Sequence, residues 1–239
     1  MAPASPTPTG SIYYASFDNH PILISRLRYN LKCFWQQTDI VNIMSKKSER
    51  TRQKIIEAAN RLFYHKGYHS TSFTDVVNAS GVPRGNIYYY YKSKEDILAA
   101  ALSYRISRID HMLQAWTGQY RTPIERLNRF LEILPDSIES LVRYGCPMGT
   151  LNAELGKNEP ELQAKAKAMF LLFEDWLTDQ FAELGYAGRA REFARRLLSR
   201  GQGVSMITHV YQDKRFLMQE TDLLARWVNK LARGEEQDI

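Results

Sequence analysis

Between residues 72 and 96 the chain carries three helix-start signals so close together that only short turns fit between them. Ser72 and Asp75 have the spacing of a capping box, Ser80-Gly81-Val82 reads as a tight turn ahead of Pro83, and Ser93 precedes Glu95 and Asp96 as a further cap. Upstream, from Ser48, the residues Ile55, Ile56, Ala59, Leu62 and Phe63 recur at helical steps until Gly67. Helix, helix, three-residue turn and helix is the sequence form of a helix-turn-helix. Helices this short cannot hide their apolar faces alone, so they must pack on one another.

Beyond this head the periodicity stays helical, over 97–116, 123–144 with a kink or break at Pro135, 160–184, 189–211 and 216–232. No alternating run reads as a strand. The fold class expected is all-α, a three-helix helix-turn-helix DNA-binding domain followed by a larger helical domain for ligand binding and dimerisation. The divisions expected are 1–43, rich in Pro, Ser and Thr at its start and loosely ordered or disordered, 44–94 for the head and 95–239 for the body. Met44, just ahead of the basic run, is a candidate translation start.

Charge separates the segments more sharply than composition does. Of the formal net charge of +6, residues 44–94 hold 10 basic against 3 acidic side chains, whereas 95–239 hold 19 against 21. A basic module joined to a near-neutral body fits a polyanion partner, the plainer alternative being a solvated basic face. With 44% apolar residues the chain has material for a sizeable core. Two cysteines, Cys33 and Cys146, make no disulfide framework, and no apolar run is long enough for a membrane span, so a cytoplasmic protein without membrane contact is expected. No CxxC, HExxH, GxGxxG, GxxxxGK[ST] or GxSxG occurs. Neither metal nor cofactor is expected.

Reading bases in the major groove needs hydrogen-bonding or stacking side chains on a helix held in place by phosphate contacts. The third helix offers Arg84, Gly85, Asn86, Tyr88, Tyr89 and Tyr90. Arg84 can read guanine, Asn86 can read adenine or bond a phosphate, and Gly85 lets backbone approach closely. Ile87 and Tyr91, four apart, should face inward and leave Tyr88, Tyr89 and Tyr90 pointing largely outward, packing on neighbouring helices being the alternative. Lys94 opens the next helix, where a cation and free amides favour phosphate. Thr71, Ser72 and Thr74 offer hydroxyls to the same strand, and a loose basic arm of Lys46, Lys47, Arg50 and Arg52 could follow the backbone or serve solubility.

Residues 52–98, with Ala59, Leu62, Phe63, Gly67, Thr71-Ser72, Gly81-Val82, Asn86-Ile87-Tyr88 and Tyr91-Lys92-Ser93-Lys94, resemble the DNA-binding domain of the tetracycline-repressor (TetR) family. The family often has Phe at the place of Tyr91 and Thr or Ser near Asn86, departures that bear on base preference rather than fold. The resemblance implies phosphate contacts from Tyr88, Tyr90 and Lys94, base contacts from Arg84, Asn86 and Tyr89, and a homodimer on a palindromic double-stranded operator. It also implies a body holding a small-molecule effector.

In that body the apolar stripes of the last two helices, Phe193, Leu197, Leu198, Val204, Met206 and Ile207, then Phe216, Leu217, Leu223, Leu224, Trp227, Val228 and Leu231, are wide enough to pair with a twin, simple intrachain burial being the alternative. Gly201 and Gly203 suggest close backbone packing there. The stretch Tyr144–Leu151 reads as a helix break with a small-residue turn that sets Cys146 between two helices, similar to the GCPxG stretch of one family branch. Cys146 is either a sensor thiol near Arg143 or a small buried apolar residue. Tyr104, Met112, Trp116 and Phe130, with Met148, Met169, Phe170, Phe173 and Trp176, could line an apolar pocket beside it or serve as core. The function expected is a ligand- or thiol-responsive repressor. The alternatives are an enzyme with Cys146 as nucleophile and a DNA binder or activator without an effector.

Overall fold

The computed structural model describes residues 46–235, so the expected loose extension 1–43, with Cys33 and Met44, lies outside the described residues. The chain parts into two compact units, 1–49 and 50–239, and the second holds the helix-turn-helix and the body. Residues 50–65 form the helix α1 of that second unit, and residues 46–49 of the first are helical. Lys and Arg favour helix, and the expected loose arm is helical from Lys46 onward.

After α1, Gly67 at φ +86° turns the chain in the left-handed region that a side chain resists. α2 (Phe73–Ser80) starts at the expected box, Ser72 Oγ accepting from Asp75 N while the Asp75 carboxylate accepts from Ser72 N. α3 (Arg84–Tyr90) follows Pro83, and its C-cap Tyr91 is extended. α4 (Lys94–Gln119) carries a second box between Ser93 and Asp96. The expected break near Pro135 is present as three short helices, α5 (Pro123–Leu131), α6 (Ile133–Asp136) and α7 (Ile138–Tyr144). α5 has a capping box of its own, Thr122 with Glu125.

α8 (Pro147–Asn158) overturns part of the reading of Tyr144–Leu151. Gly145 alone makes the turn, Cys146 is the N-cap, and Met148, Gly149 and Thr150 are helical because Pro147 opens a first turn as readily as it ends a helix. α9 (Pro160–Phe181) runs into a kink over Ala182–Tyr186, where Gly185 stands at φ +100°, and α10 (Ala190–Tyr211) and α11 (Lys214–Ala232) complete the described residues, which contain no strand.

α9 is the central helix, packed on α4, α5, α8 and α10. One buried cluster gathers Ile55, Phe63, Val76, Val82 and Ile87 from the head and Ile97 from the start of α4 together with Leu151, Leu155, Leu162 and Met169 from α8 and α9. A second, of Leu113, Trp116, Leu127, Phe173, Leu177, Phe181, Phe193, Leu197, Trp227 and Val228, fills the body. Burial of such side chains stabilises by about 1.5–3 kcal/mol each before conformational entropy is set against it. Head and body therefore share an interior at α8 and α9. Among the described residues no helix is long and apolar enough to cross a membrane.

Candidate nucleic-acid interface

Ile87 is fully buried and anchors α3, so the helix shows solvent its opposite face, where Arg84, Gly85, Asn86, Tyr88 and Tyr89 are all exposed. A Cβ added at Gly85 would meet nothing within 4 Å. Tyr89 projects furthest, at 77% exposure, and leans edge-on against Tyr90 with centroids 5.0 Å apart. Tyr90 departs from the outward expectation. Three residues after Ile87 it shares the inward side of a 3.6-residue turn, is half-buried, and packs against the head core with Tyr91. The Arg52 guanidinium covers its ring at 5.3 Å.

Tyr88 stacks on Phe73, centroids 4.6 Å apart and planes 19° apart. The Arg84 guanidinium lies 5.5 Å from the Tyr88 centroid, and its Nη2 donates to the phenol oxygen at 3.3 Å. Lys92 Nζ donates to Tyr88 O, closing the C-terminal turn of α3.

Of the expected hydroxyls, those of Ser72 and Thr74 are exposed, with Ser72 Oγ also serving the cap. Thr71 is not available in this way. It is 1% exposed and donates to Gly67 O at 2.7 Å, because the left-handed turn at Gly67 leaves that carbonyl free to be bonded. Lys94 is half-buried, its ammonium 4.1 Å from the Tyr68 ring centroid and donating to Tyr68 O at 3.1 Å. Lys46 and Lys47 are exposed and fall in the first unit.

Three residues tie body to head directly. Glu154 on α8 accepts from Tyr68 N at 2.9 Å and His69 N at 2.7 Å, filling the turn before α2. Tyr64 on α1 donates to Gly145 O at 2.9 Å and Ser140 O at 3.1 Å. Burial, then the neighbouring Cys146 and Tyr144, push its phenol up to about 12, so it remains a donor at neutral pH. Arg105 on α4 donates to Asn60 Oδ1 at 2.6 Å, to Asn60 O and to Pro147 O, joining α1, α4 and the start of α8. Sequence reasoning missed all three, because partners more than 40 positions away leave no local signal.

The expected pocket residues divide. Trp116 and Phe173 are buried, with Met112, Phe130 and Trp176 half-buried against the body core. Phe130 meets Phe173 edge-on at 5.6 Å and Trp116 meets Trp176 at 5.9 Å, while Trp176 Nε1 donates to Thr117 Oγ1. Tyr104 and Phe170 are half-buried, Met169 is fully buried in the head-side cluster, and Met148 touches both clusters. Cys146 sits apart from the aromatic group, against the small cluster of Leu141, Val204 and Leu217, its sulfur accepting from Gly149 N at 3.5 Å. A polar cleft of about 410 Å³ opens elsewhere, between the starts of α4 and α9, lined by Glu95, Asp96, Glu159, Glu161 and Lys165. Among the described residues no cluster of His, Cys, Asp and Glu suits a metal ion.

In the last two helices much of the expected pairing stripe is interior. Phe193, Leu197, Leu198, Val204, Leu217, Leu224, Trp227, Val228 and Leu231 are buried within the chain, and Phe216 is half-buried. An apolar stripe says how much surface must be covered and not which chain covers it. Met206, Ile207 and Leu223 remain exposed, joined by Val210, Tyr211 and Met218, which the stripe did not include. Added Cβ atoms at Gly201 and Gly203 would meet nothing within 4 Å, so no close packing inside the chain accounts for these glycines.

Comparison with known proteins agrees with this arrangement. Residues 55–101 match the pattern described as bacterial regulatory proteins, tetR family, and residues 123–222 match the C-terminal domain of LmrA/YxaF-like transcriptional regulators. The chain is 27% identical over 188 residues to the uncharacterised HTH-type transcriptional regulator YxaF of Bacillus subtilis, covering 77% of this chain and 95% of that protein. It is 29% identical over 152 residues to the HTH-type transcriptional regulator LmrA of the same organism, covering 61% and 77%. Among solved structures, a TetR-family regulator from Cytophaga hutchinsonii superposes with a TM-score of 0.67 at 24% identity, covering 81% of this chain and 98% of that one. A TetR regulator from Legionella pneumophila gives 0.66 at 24% identity, covering 72% and 94%. At these identities the two structures speak to the fold.

Proposed function

The chain belongs to the TetR family of bacterial transcriptional regulators, and from that premise we propose that it is a cytoplasmic homodimeric repressor released from a palindromic operator by an effector in its body. The observation that carries the DNA-contact reading is the exposed face of α3, with Tyr89 at 77% exposure, on the one segment that holds the excess positive charge. Arg84, Asn86 and Tyr89 read base edges. Tyr88, Tyr90, Ser72, Thr74 and Lys94 hold phosphates, with Lys46 and Lys47 adding charge, and the open space above Gly85 admits the duplex. Lys94 must turn from Tyr68 O to reach a phosphate.

Dimerisation uses the exposed remainder of α10 and α11. Met206, Val210 and Tyr211, at 67%, 65% and 72% exposure, with Met218 and Leu223 on α11, are the apolar side chains that a second copy would cover. The bare positions at Gly201 and Gly203 suit a second copy's approach. Such a pair sets two α3 helices about 34–36 Å apart, one turn of B-DNA. The effector is a small apolar molecule held near Met112, Phe130, Phe173 and Trp176, or an adduct on Cys146. In either case it acts by favouring a head spacing that does not fit the operator, with a coupling of about 1–3 kcal/mol.

The test is fluorescence anisotropy on a duplex selected by the protein from a random pool. Arg84→Ala and Tyr89→Ala should each lose selective binding while remaining folded, and Met206→Asp should lower the sedimentation mass to a monomer's. Selective affinity unchanged in both α3 variants would end the assignment of α3 as reader.

A further inference from the structure

Phe73 is not among the motif residues that carry the family resemblance and cannot itself hydrogen-bond a base or a phosphate. Yet it is the base of a three-member ladder in which its ring stacks on Tyr88 at 4.6 Å and 19°, and the Tyr88 ring and phenol hold the Arg84 guanidinium. We propose that Phe73 is a positioning residue for operator selectivity, fixing the Tyr88 ring and through it the place of the Arg84 guanidinium. This rests on the reading of α3 as the DNA reader.

Free arginine carries about 2 kcal/mol of rotamer entropy, and a bidentate contact with guanine is available to the fork only in one plane. A guanidinium already held against a ring and hydrogen-bonded to its phenol oxygen loses less freedom on docking. Tyr88 is 38% exposed, and Phe73 is the ring stacked against it. Offset stacking on Phe73, which leads α2 from its first position, restricts the ring. The arrangement also spans the two helices of the motif. Phe73 belongs to α2 and the reading side chain to α3, so the three-residue turn between them sets the height of the ladder. Arg52 on the Tyr90 ring forms a separate contact on the other side of α3, and nothing in the Phe73 ladder depends on it.

Positioning predicts a specific pattern of loss. A duplex selected from a random pool by the wild-type protein, and a scrambled duplex of equal length, are titrated at several salt concentrations with wild type, Phe73→Leu, Phe73→Met, Phe73→Tyr, Arg84→Ala and the double variant Phe73→Leu/Arg84→Ala. Circular dichroism and sedimentation confirm that each is folded. Phe73→Leu should reduce the ratio of selected to scrambled affinity about tenfold, with the dependence on salt unchanged because no charged side chain is removed. Phe73→Tyr should retain the ratio, and the double variant should be no less selective than Arg84→Ala alone. Phe73→Met takes the place of the leucine variant if that one unfolds.

A full wild-type ratio in both aliphatic variants would overturn the proposal while leaving α3 as the reader. Independent, additive losses from Phe73 and Arg84 would do the same. A wild-type chain without preference for any duplex would overturn the proposal and the DNA reading together.

Discussion

Replacing Glu154 by alanine removes a carboxylate that accepts two head amides, Tyr68 N at 2.9 Å and His69 N at 2.7 Å, from the body helix α8. Hydrogen bonds to a charged acceptor contribute about 1.5–3 kcal/mol each where water is excluded. Here the His69 bond is exposed and the Tyr68 bond part-buried, so water replaces the carboxylate at one amide and only partly at the other. The discounted loss is about 2 kcal/mol. At about 2–4 °C per kcal/mol for a chain of this size, the melting midpoint should fall by about 4–8 °C. Glu154→Gln keeps one acceptor oxygen but turns an amide NH₂ toward the other donor, and should lose at least half as much. The assay is thermal melting by circular dichroism, with hydrogen exchange at the Tyr68 and His69 amides as the local readout. A midpoint within about 1 °C of wild type, with protection at both amides retained, would refute the reasoning.

Ile87→Ala, emptying the fully buried anchor of α3, should cost about 2–5 kcal/mol in urea denaturation and uncouple α3 from the head before the body melts. Tyr64→Phe strips the Gly145 and Ser140 carbonyls of a donor and should cost about 1 kcal/mol, and the wild-type phenol should ionise, by its absorbance, only near about 12. Asp75 and Glu125 are held below the ordinary carboxylate range chiefly by the backbone amides of their caps, Ser72 and Thr122. Their contribution is therefore complete above the unfolded values of about 4 and is lost as pH falls through the lower folded values. Urea midpoints taken from about pH 6 to pH 2 should fall more steeply for wild type than for Asp75→Asn/Glu125→Gln, and equal slopes would contradict this.

What the sequence made legible was local. The box Ser72–Asp75, the cap at Ser93, the turn at Gly81 and the break around Pro135 rest on interactions within a few residues, and all of them are present. α8 escapes a local reading because Pro147 and Gly149 look like breakers until Cys146 is recognised as an N-cap with proline just inside it. Tyr90 reads as outward only while Tyr91 is given the place beside Ile87, although a three-residue step faces inward as readily as a four-residue one. Glu154, Tyr64 and Arg105 join segments that periodicity cannot relate. The same holds for Phe73, whose stacking on Tyr88 is invisible in a pattern that marks it simply as apolar.

The interior shared by Val76 and Ile87 with Leu151, Leu155, Leu162 and Met169 bears on how such regulators can be recombined. A chimera that grafts residues 50–94 onto another regulator's body, leaving its α8 and α9 equivalents untouched, would set this head against foreign side chains at those four positions. Retargeting the operator by transplant thus calls for carrying the α8 and α9 contact residues along, whereas exchanging Arg84, Asn86 and Tyr89 on the surface leaves that seam closed.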